Sequence, residues 1–175
     1  MDRIPFLFGD NLEAFANWRA RLAKGLGVDP SAVIVTGSSA FGVSLNPHKN
    51  YKIFDERSDI DVAVISDFHF VQAWHSMRNL GSSLFKLAPA AQQAVRDHSN
   101  RLIYWGTIAT DKILEIMPFS EQWSRAIEEQ SKVLPTVGRK INARIYRDHA
   151  SLREYQVNNL KALRNSRLEG FTQNV

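Results

Sequence analysis

Two aspartates one residue apart, Asp59 and Asp61, have the spacing in this chain that most directly allows chemistry. They frame the start of the apolar run 60–65. Because side chains on a strand alternate between its two faces, both carboxylates are expected on the same face. Two carboxylates so placed repel each other strongly unless a positive charge lies between them. A divalent metal ion is the usual solution, and Mg²⁺ prefers a few carboxylates together with substrate phosphates.

A turn of small residues lies upstream of the aspartates. The β-branched run 33–36 ends in Gly37, Ser38 and Ser39, and Gly42 follows. Such a turn allows backbone N–H groups and a hydroxyl to approach a phosphate closely. An ordinary strand-to-helix turn would also explain these residues, and it would be the better interpretation if the aspartates were absent.

These two motifs together resemble the signature of the DNA polymerase β-type nucleotidyltransferase superfamily. Gly37-Ser38, Gly42 and the Ser-Asp-Ile-Asp-Val sequence at 58–62 stand in the order typical of that superfamily, within roughly the first two-fifths of the chain. The resemblance implies an α/β (α+β) fold with a mixed β-sheet of four to five strands. Helices would pack mainly on one face of this sheet, and the acidic residues would lie along the other face.

The same resemblance implies roles for the motif residues. Asp59 and Asp61 would bind Mg²⁺ or Mn²⁺. Gly37, Ser38 and Ser39 would contact the phosphates of a nucleoside triphosphate, the substrate. The reaction would be in-line attack of a hydroxyl on the α-phosphate, with pyrophosphate leaving.

A third carboxylate is common in this superfamily, on a strand beside the Asp-x-Asp strand. Glu115 lies within the apolar run 113–117 and precedes Pro118, a pattern that resembles the third-acid motif. We therefore predict Glu115 as a catalytic residue and metal ligand. Asp111 is the competing candidate, and the absence of any third acid is the other alternative.

Two basic regions are candidates for phosphate binding. The loop 43–57 is long for a hairpin connection, and its Lys49 and Lys52 are predicted to contact the triphosphate. The segment 136–167 contains eight Lys/Arg residues against two acids, so it carries +6 while the rest of the chain carries −2. This charge favours a protein or tRNA/RNA acceptor. Solubilising surface lysines and a solvated basic face are the alternatives.

The periodicity of the remaining chain predicts the elements that position these residues. A helix is expected to open at an Asp10 capping box and end at Gly27, with Trp18 on the surface. The other expected elements are strands at 32–36, 60–65 and 141–146, and helices after Ser66, from Pro89, at 121–132 and at 149–165. The resemblance adds a strand at 112–117, which would carry Glu115.

Composition excludes several classes of protein. The chain of 175 residues suits a single domain, 1–175. It contains no cysteine, no membrane-spanning run and no signal peptide, so a cytoplasmic protein without membrane association is expected.

Three functions fit these observations. The preferred one is a small nucleotidyltransferase that modifies a protein, an RNA or a small molecule, in a toxin–antitoxin or phage-defence setting. The second is a catalytically inactive nucleotide-binding or scaffold subunit with the same fold. A nucleic-acid-binding module ranks last, because the chain has no known groove-reading motif.

Overall fold

The sheet is mixed and has four strands. The computed structural model describes residues 3–45 and 51–172, with side chains as far as residue 165. Strand order is β1-β2-β4-β3; the central pair β2–β4 is parallel, and the two outer pairs are antiparallel. The strands are β1 Val33–Thr36, β2 Ile60–Ile65, β3 Thr107–Ala109 and β4 Ile141–Tyr146. The predicted α+β fold class is confirmed.

Six α-helices connect and cover these strands in the described part of the chain. They are α1 Leu12–Leu26, α2 Gly37–Phe41, α3 Asp67–Arg78, α4 Pro89–Asp97, α5 Ser120–Gln130 and α6 His149–Thr172. As predicted, α1 ends at Gly27, which adopts the left-handed conformation, and Ser66 caps α3 by accepting a hydrogen bond from the His69 N–H. The residue that caps α1 is Asn11 rather than Asp10, because the Asn11 side chain accepts from the Ala14 N–H at 2.9 Å.

Alternation along the strands separates a buried face from an open one. The buried face carries branched residues such as Val33, Val62 and Ile145, and these pack against α1, α3 and α5 in one hydrophobic core. The opposite face carries Asp61 and, on β4, the polar residues of the Asn142–Tyr146 alternation. Of the helices, α6 lies on this second face, where it contacts β2 and β4. The helices therefore pack mainly on one face, as expected.

Trp18 is part of the core, so its predicted surface position is wrong. Its indole is only 3 % exposed, and its Nε1–H donates to Thr136 Oγ1 at 3.1 Å. The buried stripe of α1 runs through Phe15, Trp18 and Leu22, while Leu12 is 54 % exposed. The buried stripe of this amphipathic helix therefore includes Trp18.

The strand predicted at 112–117 is absent, and β3 lies earlier in the chain. Thr110 ends β3 because its Oγ1–H donates to Ala143 O at 2.7 Å. Its own carbonyl then accepts from the N–H groups of Ile113 and Leu114, so the chain turns into a 3₁₀ helix, Leu114–Ile116. Ile113 and Met117 are buried on either side of the exposed Glu115. These apolar residues therefore anchor a turn rather than alternate along a strand.

No helix in the described ranges has both the length and the apolar character that crossing a bilayer requires.

Candidate functional site

Strand register brings three polar positions side by side on the open face. Antiparallel pairing places Thr36 of β1 opposite Asp61 of β2, and parallel pairing places Asn142 of β4 on the other side of Asp61. Asn142 lies 81 residues after Asp61 in the sequence. Asp61 is therefore the centre of a row that only the complete sheet assembles.

Asp59 and Asp61 project from one face, as their spacing predicts. Both carboxylates are exposed, and the Nδ2 amide of Asn142 reaches the two of them. The Nδ2 atom lies 3.4 Å from Asp59 Oδ2 and 3.5 Å from Asp61 Oδ1. These are long hydrogen bonds, and an amide brings no net charge to offset the repulsion between two carboxylates.

The other amide atom of Asn142 supports a cation site. Asn142 Oδ1 is buried and has no hydrogen-bond partner within the described residues. Exchanging the amide nitrogen and oxygen by a half-turn of the amide group would point this oxygen at the carboxylates. Two carboxylates and an amide oxygen are hard oxygen ligands of the kind that Mg²⁺ binds. The described residues contain no group of three or more His, Cys, Asp or Glu side chains placed to hold a metal ion, so this set includes an amide.

Gly37 allows the β1–α2 turn to approach Asp61. Its φ of +63° lies in the left-handed region, and a Cβ at this position would meet Asp61 Oδ2 at 2.8 Å. The left-handed backbone favours glycine, and a side chain here would displace the Asp61 carboxylate. The turn itself is held by Ser39, which is buried and whose Oγ–H donates to Thr36 O at 2.8 Å. Ser38 is half-buried, and its carbonyl accepts from the Gly42 N–H at 2.8 Å.

A cavity of about 310 Å³ opens beside this row. Its floor is the open face of the sheet near Asp61 and Asn142, and α6 forms its wall through Tyr155, Gln156 and Asn159. Arg144 also lines the cavity; its Nη1–H donates to Tyr155 Oη at 3.1 Å, and its guanidinium lies 5.1 Å from the centroid of that ring. The cavity thus combines carboxylates, amides and one guanidinium, a mixed set suited to a polar, charged ligand.

The two candidate third acids lie in different places. Asp111, just beyond β3, lines the cavity beside Asp61. Glu115 is exposed on the Leu114–Ile116 turn and does not line this cavity. The prediction that placed Glu115 on a strand beside Asp61 is wrong, because the neighbour of β2 on that side is β4 and the facing residue is Asn142.

Of the two predicted phosphate-binding lysines, the described one, Lys52, does not line this cavity. Lys52 Nζ lies 3.5 Å from Asp55 Oδ2, in an exposed ion pair. Lys49 lies outside the described residues. In the connection between β1 and β2, Val43 and Ile53 pair in a single antiparallel β-bridge.

Two arginines of the basic segment 136–167 stabilise the fold. Arg139 Nη1 donates to the carbonyls of Asp55 at 2.6 Å and Ser58 at 3.2 Å, and its guanidinium lies 4.9 Å from the Phe54 ring centroid. Arg139 therefore fixes the backbone of the segment that immediately precedes Asp59. Arg147 pairs with Asp67 at 3.1 Å. Among the described side chains of α6, three other cations are exposed, namely Arg153, Lys161 and Arg164.

Burial shifts the pKa values of two side chains near the site, Tyr146 and His98. It raises the pKa of Tyr146, on β4, to about 12, against the lowering effect of the Arg144 charge. It lowers the pKa of His98, whose Nε2 accepts from the Ala109 N–H at 2.9 Å and whose Nδ1–H donates to Ala94 O at 2.5 Å. Both side chains therefore remain neutral at pH 7, and His98 fixes the end of β3 just before Asp111.

Sequence reasoning missed Asn142 and the α6 wall as parts of the site. The alternation over 141–146 already indicated that Asn142 and Arg144 share a polar face. It carried no signal that this strand pairs with β2. For Gln156 and Asn159, the helical pattern of α6 gave no sign that they face the carboxylates.

We compared the chain with protein-family models, curated proteins and solved structures, and none of the three comparisons gives a match. The nucleotidyltransferase resemblance stays a prediction from the two sequence motifs.

Proposed function

We propose that this protein binds a nucleoside triphosphate with Mg²⁺ or Mn²⁺ and transfers the nucleoside monophosphate to a hydroxyl of a protein, an RNA or a small molecule. The observation that carries the proposal is the cluster of Asp59, Asp61 and Asn142, with Gly37 close against Asp61. Packing the strand on the core requires neither two carboxylates on its open face nor a glycine close to one of them. A cation site accounts for both features.

Asp59, Asp61 and the amide oxygen of Asn142 would hold the cation. When bound, it would neutralise the triphosphate and lower the pKa of the attacking hydroxyl. The exposure of both carboxylates leaves room for phosphate oxygens and water as the remaining ligands, as Mg²⁺ prefers.

Other residues of the cavity supply positioning and proton transfer. The acceptor oxygen attacks the α-phosphorus, the bond from that phosphorus to the bridging oxygen breaks, and pyrophosphate leaves. Asp111 takes the acceptor proton, since it is the further acid that lines the cavity. Arg144 offsets phosphate charge from the adjoining position on β4. The exposed cations of α6 favour an acidic acceptor such as RNA.

A second candidate function is nucleotide binding without transfer. It is favoured by Asn142, which occupies the strand position beside Asp61 where the resemblance leads us to expect an acid. An amide can bind a cation but cannot take up a proton from an attacking hydroxyl.

The experiment uses each of the four NTPs labelled at the α-phosphate, with Mg²⁺ or Mn²⁺, alone and in cell extract. The Asp59→Asn/Asp61→Asn variant is compared with Asp10→Asn/Glu13→Gln, which makes the same charge change at exposed positions of the α1 region. Transfer of label that is lost only in the site variant supports nucleotidyl transfer. Cation-dependent binding without transfer supports the second candidate. Nucleotide binding that depends neither on the cation nor on Asp59 and Asp61 contradicts both candidate functions.

A further inference from the structure

A second cavity, of about 350 Å³, adjoins the carboxylate cavity and lies between α5 and the start of β4. Asp111 and Asn142 line both cavities, so the two spaces meet at the acid that takes the acceptor proton in the proposed reaction. The volume of the second cavity falls within the range of small-molecule sites, roughly 300–1,000 Å³. The part of the acceptor that adjoins its reacting hydroxyl would therefore lie here.

The deeper part of the second cavity is apolar. Ile141 and Ala143 of β4 line it and are buried. Leu114 and Ile127 line it as well, and both are half-buried against the core. Such a surface favours a ligand that covers it with an apolar group. The acceptor should thus carry an apolar group next to its hydroxyl.

Two charged side chains at this cavity already have partners. Glu128 pairs with Lys132 at 2.6 Å. Arg139 Nη1 donates to the carbonyls of Asp55 and Ser58. These contacts compensate charge that would otherwise favour a strongly charged group inside the cavity.

The residues next to Asp111 favour an acidic hydroxyl as the acceptor. Asn142, beside Asp61 on β4, ends in an amide, which cannot take up a proton. The phenol of tyrosine has an ordinary pKa of about 10, against about 15.7 for water, so it gives up its proton far more readily than an aliphatic hydroxyl does. Tyrosine also carries its hydroxyl on an apolar ring, which matches the apolar surface of the second cavity.

We propose that the acceptor is a tyrosine of a partner protein, whose ring lies against Leu114 and Ile127 and whose hydroxyl lies at Asp111. This inference rests on the proposed nucleotidyl transfer. In that reaction the phenolic oxygen bonds to the α-phosphorus and its proton passes to Asp111. The bond from the phosphorus to the bridging oxygen breaks, and pyrophosphate leaves.

The surrounding charge favours a tyrosine within an acidic segment. Lys140 lines the second cavity and is exposed, and the exposed cations of α6 add positive charge on the same protein. Acidic residues on either side of the tyrosine would offset these charges. The terminal nucleoside of an RNA fits less well, because the polar edges of its base would lie unpaired against the apolar surface.

Three matched peptides test the proposal, namely acetyl-Glu-Glu-Tyr-Glu-Glu-amide and its analogues with Phe or Ser in place of Tyr. In ¹H–¹⁵N NMR titrations, we expect the Tyr and Phe peptides to shift the amide signals of Leu114, Ile127 and Ile141 with similar affinity. The Ser peptide should bind at least about fivefold more weakly, because it lacks the ring. With α-labelled NTP and Mg²⁺, label should pass to the Tyr peptide alone, and not to a single-stranded RNA with a free 3′ hydroxyl.

A variant that fills the cavity connects binding with transfer. Ser124→Leu adds a larger side chain to the lining from an exposed position of α5. It should reduce both peptide binding and labelling of the Tyr peptide at least about fivefold, while cation-dependent NTP binding stays unchanged. Ala90→Leu is the control, because Ala90 is exposed on α4 and lines neither cavity.

The outcomes separate this proposal from the proposed function. Label on the RNA or the Ser peptide, or Tyr and Phe peptides that leave the cavity signals unchanged, would overturn the tyrosine assignment while transfer itself stands. Cavity shifts without label on any probe would overturn the proposed transfer, and with it the role of tyrosine as acceptor.

Discussion

At the scale of single residues, Gly37 and Asn142 set the environment of the two aspartates. A Cβ at Gly37 would lie 2.8 Å from Asp61 Oδ2, and the Asn142 amide lies within hydrogen-bond reach of both Asp59 and Asp61. Neither residue is charged, yet each controls where the charged groups lie. Substituting them therefore tests the site without removing its carboxylates.

We expect Gly37→Ala to weaken cation-dependent nucleotide binding at least tenfold, or about 1.4 kcal/mol. The added Cβ would lie 2.8 Å from Asp61 Oδ2, so this carboxylate must move. The left-handed backbone also costs about 1–2 kcal/mol for alanine. Gly138→Ala is the matched control, because Gly138 has a φ of +71° and no atom within 4 Å of a Cβ. Calorimetric titration and urea denaturation separate the two effects, and equal binding by both variants would contradict the geometry.

Asn142→Asp should make the stability of the protein depend on divalent cation. A third carboxylate beside Asp59 and Asp61 lowers the free energy of unfolding by about 1 kcal/mol or more without metal, through like-charge repulsion. Mg²⁺ should restore the loss and raise the melting temperature more than in the unmodified protein. Asn79→Asp, at an exposed position after α3, adds the same charge and should show neither effect. If the two variants respond alike to Mg²⁺, Asn142 does not face the aspartates in solution.

At the scale of elements, Arg139 joins the start of β4 to the approach into β2. Its Nη1 donates to the carbonyls of Asp55 and Ser58, and its guanidinium lies over the Phe54 ring. The start of β4 therefore fixes the segment that leads to Asp59 on the neighbouring strand. Lysine offers a compact ammonium, which cannot reproduce the planar contact with Phe54.

Arg139→Lys should accordingly lower the free energy of unfolding by about 1–2 kcal/mol and weaken nucleotide binding in parallel. Arg125→Lys provides the comparison, because Arg125 pairs with Glu121 on the exposed face of α5. Exposed pairs of this kind contribute about 0.3–0.5 kcal/mol. Urea denaturation of both variants measures the difference, and a loss no larger for Arg139 than for Arg125 would show that the Arg139 contacts do not matter.

The sequence predicted the features that depend on one short segment, and it did not predict those that depend on residues far apart in the chain. Alternation placed β2 at its observed bounds and put Asp59 and Asp61 on one face, because both are properties of one short segment. Pairing of β2 with β4 depends on residues 81 positions apart, so the place of Asn142 was beyond a local pattern. The placement of Glu115 on a strand was wrong for a related reason. The spacing of the apolar residues Ile113 and Met117 suits a buried turn as well as a strand, and a local pattern does not distinguish the two.

At the scale of the whole molecule, two buried histidines make stability depend on pH. Burial lowers the pKa of His98 and of His69, and the His69 ring lies edge-on to Phe119 and tilted against Trp123. Since their ordinary value is 6.5, the unfolded chain takes up protons first as the pH falls. Their contribution to folding is thus complete above about pH 6.5 and decreases as the pH falls toward the folded-state pKa values.

We expect the free energy of unfolding to decrease between pH 7.5 and pH 5.5, and to decrease less in His98→Gln. The measured quantity is the difference between the two pH values, so a constant loss from the substitution cancels. His75→Gln replaces an exposed histidine on α3 and should leave the difference unchanged. If His98→Gln and the unmodified protein lose equal stability on acidification, His98 does not stay neutral in the folded state.

The separation of Asp61 from Asn142 also bears on how the protein is made. A nascent chain that has exposed β1 and β2 already carries Gly37, Asp59 and Asp61, but β4, with Asn142, is synthesised 81 residues after Asp61. Because domains fold as units and the parallel β2–β4 pairing requires β4, Asn142 can join Asp59 and Asp61 only after this later strand has been synthesised. A nascent chain that lacks β4 therefore carries both carboxylates before the strand that sets Asn142 beside them exists.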